Sequence, residues 1–191
     1  MSDATVSSET SRLLARAKLL LMDVDGVLTD GGVTWNNSGI EQKTFHIRDG
    51  LGIRLWSKAG CTAGIVTGRS SHVVELRARE LGISVVRQGV VDKWPVVAEV
   101  LSALSITWEE TIYIGDDLPD LAVIRDCGVG VAVADAAPEV RDAARIVTRS
   151  SGGCGAVREV VEMALSARGA WDAIVRRFSS PRSSDTGGGR S

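Results

Sequence analysis

The chain has 191 residues, of which 44% are hydrophobic and 24% are charged, and its formal net charge is −2. This length suits one domain with a full hydrophobic core and is too short for two comfortable ones. The small net charge gives no reason to expect a nucleic-acid partner. No apolar run approaches the roughly 20 residues that cross a bilayer, so we expect no membrane partner either.

Both ends of the chain are rich in serine and other small polar residues. This composition predicts a flexible N-terminal extension over residues 1–17, one domain over residues 18–168, and a largely flexible C-terminal tail over residues 169–191. The polar start lacks the pattern of a secretory signal. Cys61, Cys127 and Cys154 have neither the number nor the spacing of a disulfide framework or a zinc site. We therefore predict a cytoplasmic protein.

Short apolar runs alternate with helical patterns between the two ends. The strand candidates, in chain order, are residues 19–22, 62–66, 84–87, 111–114, 129–133 and 146–148. Residues 33–47 differ, because two short runs flank the turn sequence NNSG at residues 36–39 and so predict a β-hairpin. The alternation elsewhere predicts an α/β fold, with a mostly parallel sheet covered by helices on both faces.

Two aspartates, Asp23 and Asp25, follow the first strand candidate. Sites in open parallel sheets lie beyond the carboxyl ends of the strands. If the chain stays extended, both carboxylates point into the same cleft, since side chains alternate with a period of two. Neighbouring carboxylates at the edge of a core are costly to desolvate and repel each other. The pair therefore predicts a bound cation, a shared proton, or both.

Polar residues follow the other strand candidates as well. Thr67, Gly68 and Arg69 come after the second strand, and Lys93 opens the helix after the third. The hydroxyl of Thr67 and the backbone N–H groups near Gly68, at a predicted helix N-terminus, suit a phosphoryl group. Lys93 adds a positive charge.

A second acidic cluster follows the fourth strand, with Asp116, Asp117 and, one helical turn later, Asp120. Asp23 and Asp116 offer the oxygen ligands that Mg²⁺ prefers. For Asp117 a purely structural role is as well supported, because the first turn of a helix favours acids. Asp120 is expected to support the metal's waters or Lys93.

Together these residues predict a Mg²⁺-dependent phosphatase. Asp23 would attack phosphorus to form an aspartyl-phosphate. Asp25 would give a proton to the leaving oxygen and take one from water in the second step. The predicted catalytic set is Asp23, Asp25, Thr67 and Lys93, and the predicted metal set is Asp23, Asp25 and Asp116.

Four motifs in this order, D-x-D-G-V-L-T-D, T-G-R, D-K and G-D-D-x-x-D, resemble those of the haloacid dehalogenase (HAD) superfamily. The second aspartate of the first motif is typical of its phosphatases. The resemblance implies a HAD-like Rossmannoid three-layer sandwich. Phosphatases of this superfamily usually carry a cap domain, but little chain separates Asp25 from Thr67 or Thr67 from Lys93. We therefore expect a β-hairpin flap and no cap.

The segments FHIRDGLGIR (45–54), TGR (67–69), VADAAPEVR (133–141) and GGCGAVREV (152–160) resemble cap-less phosphatases of 3-deoxy-D-manno-octulosonate (KDO) 8-phosphate and related nonulosonate 9-phosphates. This resemblance implies a role in lipopolysaccharide precursor biosynthesis and a homotetramer whose neighbouring subunits help to close each site. The C-terminal tail would then be either disordered or folded over a neighbour's site. The implied substrate-binding residues are Asp25, His46, Ile47, Arg48, Asp49, Gly50, Arg54, Gly68, Arg69, Arg77 and Lys93. Their arginines suit a substrate with a phosphate and a carboxylate, since guanidinium binds either group bidentately.

Two positions depart from the pattern of these phosphatases. His46 stands where they commonly have Asn, and Cys154 stands where they commonly have the Arg of G-G-R-G. The loss of a cation near the expected carboxylate weakens the case for KDO 8-phosphate, which stays the predicted substrate, and a KDN or sialate 9-phosphate is the alternative.

Two other functions remain as alternatives. A receiver-like signalling domain uses similar residues, but its phospho-acceptor follows the third strand, whereas the D-x-D here follows the first. A catalytically silent assembly module is the other alternative, and the complete catalytic set argues against it.

Overall fold

The computed structural model of the chain describes residues 7–179. The helices are α1 (Ser8–Arg16), α2 (Ile47–Lys58), α3 (His72–Leu81), α4 (Lys93–Leu104), α5 (Leu121–Asp126), α6 (Pro138–Ala143), α7 (Ala156–Ala167) and α8 (Trp171–Ser179). The strands are β1 (Leu19–Met22), β2 (Thr34–Trp35), β3 (Glu41–Gln42), β4 (Thr62–Val66), β5 (Val85–Arg87), β6 (Thr111–Gly115), β7 (Val129–Ala132) and β8 (Ile146–Val147). Two short 3-10 helices cover Trp108–Glu110 and Leu118–Asp120.

Six of the strands form one sheet in the order β5-β4-β1-β6-β7-β8, and all neighbours in it are parallel. Every residue of the central strand β1 is fully buried. Because successive side chains of a strand point to opposite faces, helices must cover both faces of the sheet. The predicted α/β fold with a parallel sheet is confirmed, and each predicted strand of this sheet ends within one residue of its position in the structure.

The predicted hairpin is present but shorter than expected. β2 and β3 pair antiparallel, with Thr34 opposite Gln42. The side-chain oxygen of Asn36 accepts hydrogen bonds from the backbone N–H groups of Ser38 and Ile40, each at 2.9 Å, which closes the turn. Residues 43–46 leave the strand, and Phe45 packs against the hydrophobic core. Only this hairpin and α2 lie between β1 and β4; the absence of a cap domain stays a prediction.

The structure of the N-terminal segment differs from the flexible extension that its composition predicts. Residues 8–16, expected to be flexible, form α1, which packs against α7. The side-chain oxygen of Ser7 accepts a hydrogen bond from the N–H of Thr10 and caps the helix, and Leu14 and Ala17 are buried in the core. Ser7, one of the serines whose number indicated flexibility, is in fact the cap of this helix. Residues 1–6 of the predicted extension lie outside the described residues.

The C-terminal tail differs in the same way, because residues 171–179 form α8. Its Trp171 ring packs against the core and lies 5.0 Å beneath the guanidinium of Arg158 in α7. The rest of the predicted tail, residues 180–191, lies outside the described part of the chain, and the boundaries of the predicted domain at 18 and 168 stay predictions. Within residues 7–179, no helix has the length and apolar character needed to span a membrane.

Candidate active site

The loops that follow β1, β4 and β6 surround a cavity of about 450 Å³, which the start of α4 completes. These loops meet because parallel strands present their carboxyl ends at one edge of the sheet. The predicted residues that line the cavity are Asp23, Asp25, Thr67, Gly68, Arg69, Lys93 and Asp116, joined by Asp117 and Asp120. The structure thus gathers all four sequence motifs around one space.

Asp23 is the first residue after β1, and its N–H donates to the carbonyl of Ile114 in the neighbouring β6 at 3.0 Å. Its carboxylate is largely buried, and Oδ2 lies 3.0 Å from Nζ of Lys93. Oδ1 is buried without a hydrogen-bond partner among the described residues. Burial raises the pKa of Asp23, an effect that the charge of Lys93 only partly offsets. Leaving a buried carboxylate oxygen unpaired is costly, so this atom is suited to bind a cation.

Asp116 follows β6 and has the same feature, since its Oδ1 is buried with no hydrogen-bond partner within residues 7–179. Burial and then the charges of Asp23 and Asp120 raise the pKa of Asp116 to about 7. Gly26 permits this arrangement: its φ is +94°, and a Cβ atom there would lie 2.0 Å from Oδ2 of Asp116. Only glycine lets the loop after β1 approach Asp116 this closely.

Asp120 lies at the centre of a buried hydrogen-bond network. Its Oδ1 accepts from Nζ of Lys93 and from the hydroxyl of Tyr113, both at 2.6 Å. Its Oδ2 accepts from the backbone N–H groups of Asp116 at 3.1 Å and Asp117 at 3.4 Å. Both oxygens are therefore already engaged, and Asp120 is better suited to position Lys93 than to bind a metal.

Lys93 is the first residue of α4 and is 2% exposed. Its Nζ lies between Asp120 and Asp23, at 2.6 and 3.0 Å. Burial alone would lower the pKa of Lys93, but the two neighbouring carboxylates outweigh burial and raise it. The side chain therefore remains an ammonium group held beside Asp23.

Asp23 and Asp116 fit a divalent cation. Together with Asp120 they bring carboxylate oxygens within 4.8 Å of one another, and each of these two residues contributes one buried oxygen with no partner in the described chain. Carboxylate oxygens are the ligands that Mg²⁺ prefers.

The role of Asp25 in the predicted metal set stays a prediction, and the loop that carries it differs from the extended chain expected. The N–H groups of Val27 and Leu28 donate back to the carbonyl of Val24, so the chain turns after Asp23 instead of staying extended. The carboxylate of Asp25 lines the cavity but contacts Nζ of Lys43 through Oδ1. It lies outside the group formed by Asp23, Asp116 and Asp120, and its position suits proton transfer.

Glu41 in β3 and Lys43 just after it contact two residues that line the cavity, Asp25 and Arg69, and were missed in the sequence analysis. Nζ of Lys43 contacts Asp25 and lies 3.4 Å from Oε1 of Glu41. The same oxygen of Glu41 accepts from Nη2 of Arg69 at 2.7 Å. The available signal was the strand period of two, which places residues 41 and 43 on one face, but the sequence does not say what that face contacts.

Thr67, Gly68 and Arg69 occupy the loop between β4 and α3. Thr67 is 2% exposed, and its N–H donates to the carbonyl of Arg87 at 2.9 Å, which fixes the loop against β5. The prediction that Gly68 lies at a helix N-terminus is wrong, because α3 begins only at His72. Gly68 therefore lines the cavity from a loop and not from the start of a helix.

The remaining residues of the implied substrate-binding set do not line this cavity; they are His46, Ile47, Arg48, Asp49, Gly50, Arg54 and Arg77. His46 is not in a strand of the hairpin; it precedes the first residue of α2. Asp49 is 1% exposed, and its carboxylate accepts from the N–H groups of Gly155 at 3.2 Å and Arg158 at 2.7 Å. In this chain Asp49 therefore stabilises the start of α7, which explains its burial without any ligand.

The arginines of this set form two further groups. Arg77 pairs with Glu80 at 2.8 Å, and Arg54 donates to the backbone carbonyl of Glu80 at 3.0 Å. Gly50 is packed beneath Arg77, because a Cβ there would lie 2.5 Å from Nη2 of that residue. Arg48 lines a separate cavity of about 620 Å³, which Arg149, Cys154 and Arg158 also line.

The chain is similar to proteins of known family. The profile of the haloacid dehalogenase-like hydrolase family matches residues 77–160. The 3-deoxy-D-manno-octulosonate 8-phosphate phosphatase KdsC of Escherichia coli is 42% identical over 167 residues, which cover 87% of this chain and 89% of that protein.

Two solved structures are similar over most of the chain. The crystal structure of the KDO 8-phosphate phosphatase from Moraxella catarrhalis, in complex with magnesium, phosphate and KDO, has a TM-score of 0.88 and 41% identity, covering 89% of this chain and 98% of that one. The cobalt-bound KDO 8-phosphate phosphatase (YrbI) from Haemophilus influenzae has a TM-score of 0.84 and 36% identity, covering 88% and 99%. The chain therefore belongs to the KdsC family of haloacid dehalogenase-like hydrolases.

Proposed function

We propose that the protein is a Mg²⁺-dependent phosphatase that hydrolyses KDO 8-phosphate to KDO and phosphate, a step of lipopolysaccharide precursor biosynthesis. The observation that carries this proposal is the pair of facing carboxylates, Asp23 and Asp116, each with a buried oxygen that has no partner among the described residues, beside the ammonium of Lys93. The identity with the E. coli enzyme and the ligands of the Moraxella structure support the choice of substrate and metal.

Asp23 and Asp116 would hold the metal ion. When bound, Mg²⁺ supplies positive charge that offsets these carboxylates and the oxygens of the phosphate.

The side chains of the cavity account for the two steps of the reaction. Lys93 and the Thr67 hydroxyl hold oxygens of the phosphate. A carboxylate oxygen of Asp23 attacks phosphorus, and the bond from phosphorus to the sugar oxygen breaks as Asp25 gives that oxygen a proton. In the second step water attacks the aspartyl-phosphate, Asp25 takes the water's proton, and phosphate leaves with the Asp23 carboxylate restored.

The sugar end of the substrate needs groups beyond this cavity. Arg69 lines the cavity, whereas Arg48, Arg54 and Arg77 lie outside it. We propose that the protein is a homotetramer in which a neighbouring subunit brings such groups to each site. The apolar side chains exposed on and next to the hairpin support an interface there: Trp35 is 57% exposed, and Ile47 is 78% exposed. The cytoplasmic location stays a prediction from the sequence.

The test is a comparison of phosphate release from KDO 8-phosphate, a nonulosonate 9-phosphate and a simple hexose phosphate in the presence of Mg²⁺. We expect the highest kcat/KM for KDO 8-phosphate, complete inhibition by EDTA, and recovery when Mg²⁺ is restored. A higher kcat/KM for the 9-phosphate would replace the substrate and keep the chemistry. No turnover of any of the three by folded, Mg²⁺-loaded protein would refute the proposal.

A further inference from the structure

Lys43, the first residue after β3, contacts the active site at Asp25. Along residues 41–44 the exposure alternates: Gln42 and Thr44 face solvent, whereas Glu41 and Lys43 turn toward the protein. The side chain of Lys43 is only 1% exposed, less than the 2% of Lys93. Lysines are almost never this buried unless a charge partner holds them, so the partner indicates the role.

The partner of Lys43 is Asp25, the carboxylate to which the proton transfers are assigned. Nζ of Lys43 contacts Oδ1 of Asp25. The other oxygen, Oδ2, lies 3.6 Å from Nε of Arg69, which is too long for a hydrogen bond. One oxygen of Asp25 is thus held, and the other is free to exchange a proton with a ligand in the cavity.

Lys43 is itself held in place. Oε1 of Glu41 lies 3.4 Å from its Nζ and also accepts from Arg69 at 2.7 Å. Ordering a lysine side chain costs rotamer entropy. Two carboxylates and near-complete burial offset this cost, so Lys43 is ordered before any substrate binds.

We propose that Lys43 is a positioning residue for Asp25. It anchors Oδ1 so that a proton on Oδ2 faces the oxygen of the leaving group. As the bond from Asp23 to phosphorus forms and the bond from phosphorus to the sugar oxygen breaks, that proton moves from Oδ2 to the sugar oxygen, while Lys43 keeps its own protons. This inference rests on the proposed phosphatase function, and it adds the residue that follows β3 to the catalytic apparatus.

The proposal predicts a dependence on the leaving group. A sugar alcohol is a poor leaving group that needs the proton, whereas p-nitrophenolate leaves as a stable anion without it. The value of kcat/KM reports the steps up to the first irreversible one, the formation of the aspartyl-phosphate, and so excludes its later hydrolysis. Loss of the positive charge of Lys43 weakens the binding of both phosphates, and this effect cancels in the ratio of the two substrates.

The experiment measures kcat/KM of Lys43→Met for KDO 8-phosphate and for p-nitrophenyl phosphate. We expect a loss of about 100-fold for the sugar phosphate, at the lower end of what general acid catalysis contributes, and a loss of at most about threefold for p-nitrophenyl phosphate. Lys43→Arg, which keeps a charged donor, should recover much of the sugar phosphate activity. In the Asp25→Asn background, Lys43→Met should cause no further loss, since Lys43 acts through Asp25.

The matched control is Lys18→Met. Lys18 also forms an ion pair, 2.6 Å from Glu110, but it is 59% exposed and does not line the cavity. This variant should retain parental kcat/KM for both substrates.

Each outcome decides between distinct conclusions. Equal losses for both substrates, or no loss for either, would overturn the role of Lys43 while leaving the phosphatase intact. A parental protein that hydrolyses neither substrate would instead refute the proposed function. If Lys43→Met does not fold by circular dichroism, Lys43→Gln, which keeps an uncharged donor, takes its place, and the same ratio between substrates decides.

Discussion

Replacing Asp120 with asparagine tests how the ammonium group beside the nucleophile is held in place. The carboxylate of Asp120 is fully buried and accepts four hydrogen bonds, two of them at 2.6 Å from Lys93 and Tyr113. An asparagine offers one acceptor oxygen and turns an NH₂ group toward donors, so at least two of these hydrogen bonds are lost. Lys93 would retain only Asp23 as a charged partner. Breaking a buried ion pair on one side costs about 3–5 kcal/mol.

This loss is large enough to measure by urea denaturation of the metal-free protein. With a slope of about 3 kcal/mol per molar urea, at the upper end for small proteins, the midpoint should fall by about 1–1.7 M. Activity should fall as well, because Lys93 is no longer held at its distance from Asp23. Asp117→Asn is the matched control, since Asp117 is exposed three positions earlier and asparagine is an equally good helix cap. A midpoint within about 0.3 M of the parent for Asp120→Asn would refute the view that this network stabilises the fold.

Three further changes test the site and the fold. Asp23→Asn should lower phosphate release by at least about 1,000-fold because the nucleophile is gone, and a variant as active as its parent would exclude Asp23 as the nucleophile. The urea midpoint should stay unchanged or rise because, unlike Asp120, Asp23 has an unpaired buried oxygen, and its burial outweighs the ion pair with Lys93 and raises its pKa. The pKa of Asp116 is raised to about 7, so its stabilising contribution is complete below the ordinary carboxyl pKa and is lost as the pH rises through 7. The metal-free protein should therefore lose thermal stability between about pH 4 and pH 7. Mg²⁺ should restore more of it at the higher pH, and Asp116→Asn should flatten this dependence. Leu14→Ala should lower the free energy of unfolding by about 2–5 kcal/mol, since the Leu14 side chain of α1 is buried. Arg12→Ala, on the exposed face of the same helix, should change it by no more than about 0.5 kcal/mol. Similar small effects for both variants would contradict the packing of α1.

The parallel sheet could be predicted because its strands are buried on both faces and so appear as continuous apolar runs. The run at residues 19–22 ends at Asp23, and the change from apolar to charged marks both the end of β1 and the edge of the site. The helix in the N-terminal segment was not predicted because no continuous pattern marks it. Composition averaged over residues 1–17 indicates flexibility, whereas the decisive features are single positions, the cap at Ser7 and the buried side chain of Leu14.

The convergence of Asp23, Thr67 and Asp116 could be predicted because each follows a strand of one parallel sheet, and the topology alone brings those ends together. The contribution of Lys43 could not be predicted. Its contact with Asp25 depends on how the hairpin folds back over the site, which is a tertiary contact across 18 residues of chain. Likewise, family motifs in the sequence select Arg48 and Asp49 but do not say which cavity each side chain faces, or whether it faces one at all.

The different roles of Asp116 and Asp120 follow from their hydrogen bonds, which only the structure shows. Asp116 and Asp120 belong to one motif and are four residues apart. The sequence predicts a metal ligand at the first position and a supporting residue at the second, but it does not show the contacts that distinguish them. In the structure Asp120 is saturated by four donors, one of which, Tyr113, comes from the middle of β6. Asp116 instead keeps a buried oxygen that no group of residues 7–179 satisfies. A cation is attracted to the unsatisfied oxygen and not to the saturated one, so the hydrogen bonds to Asp120 support the proposal that Asp23 and Asp116 hold the metal.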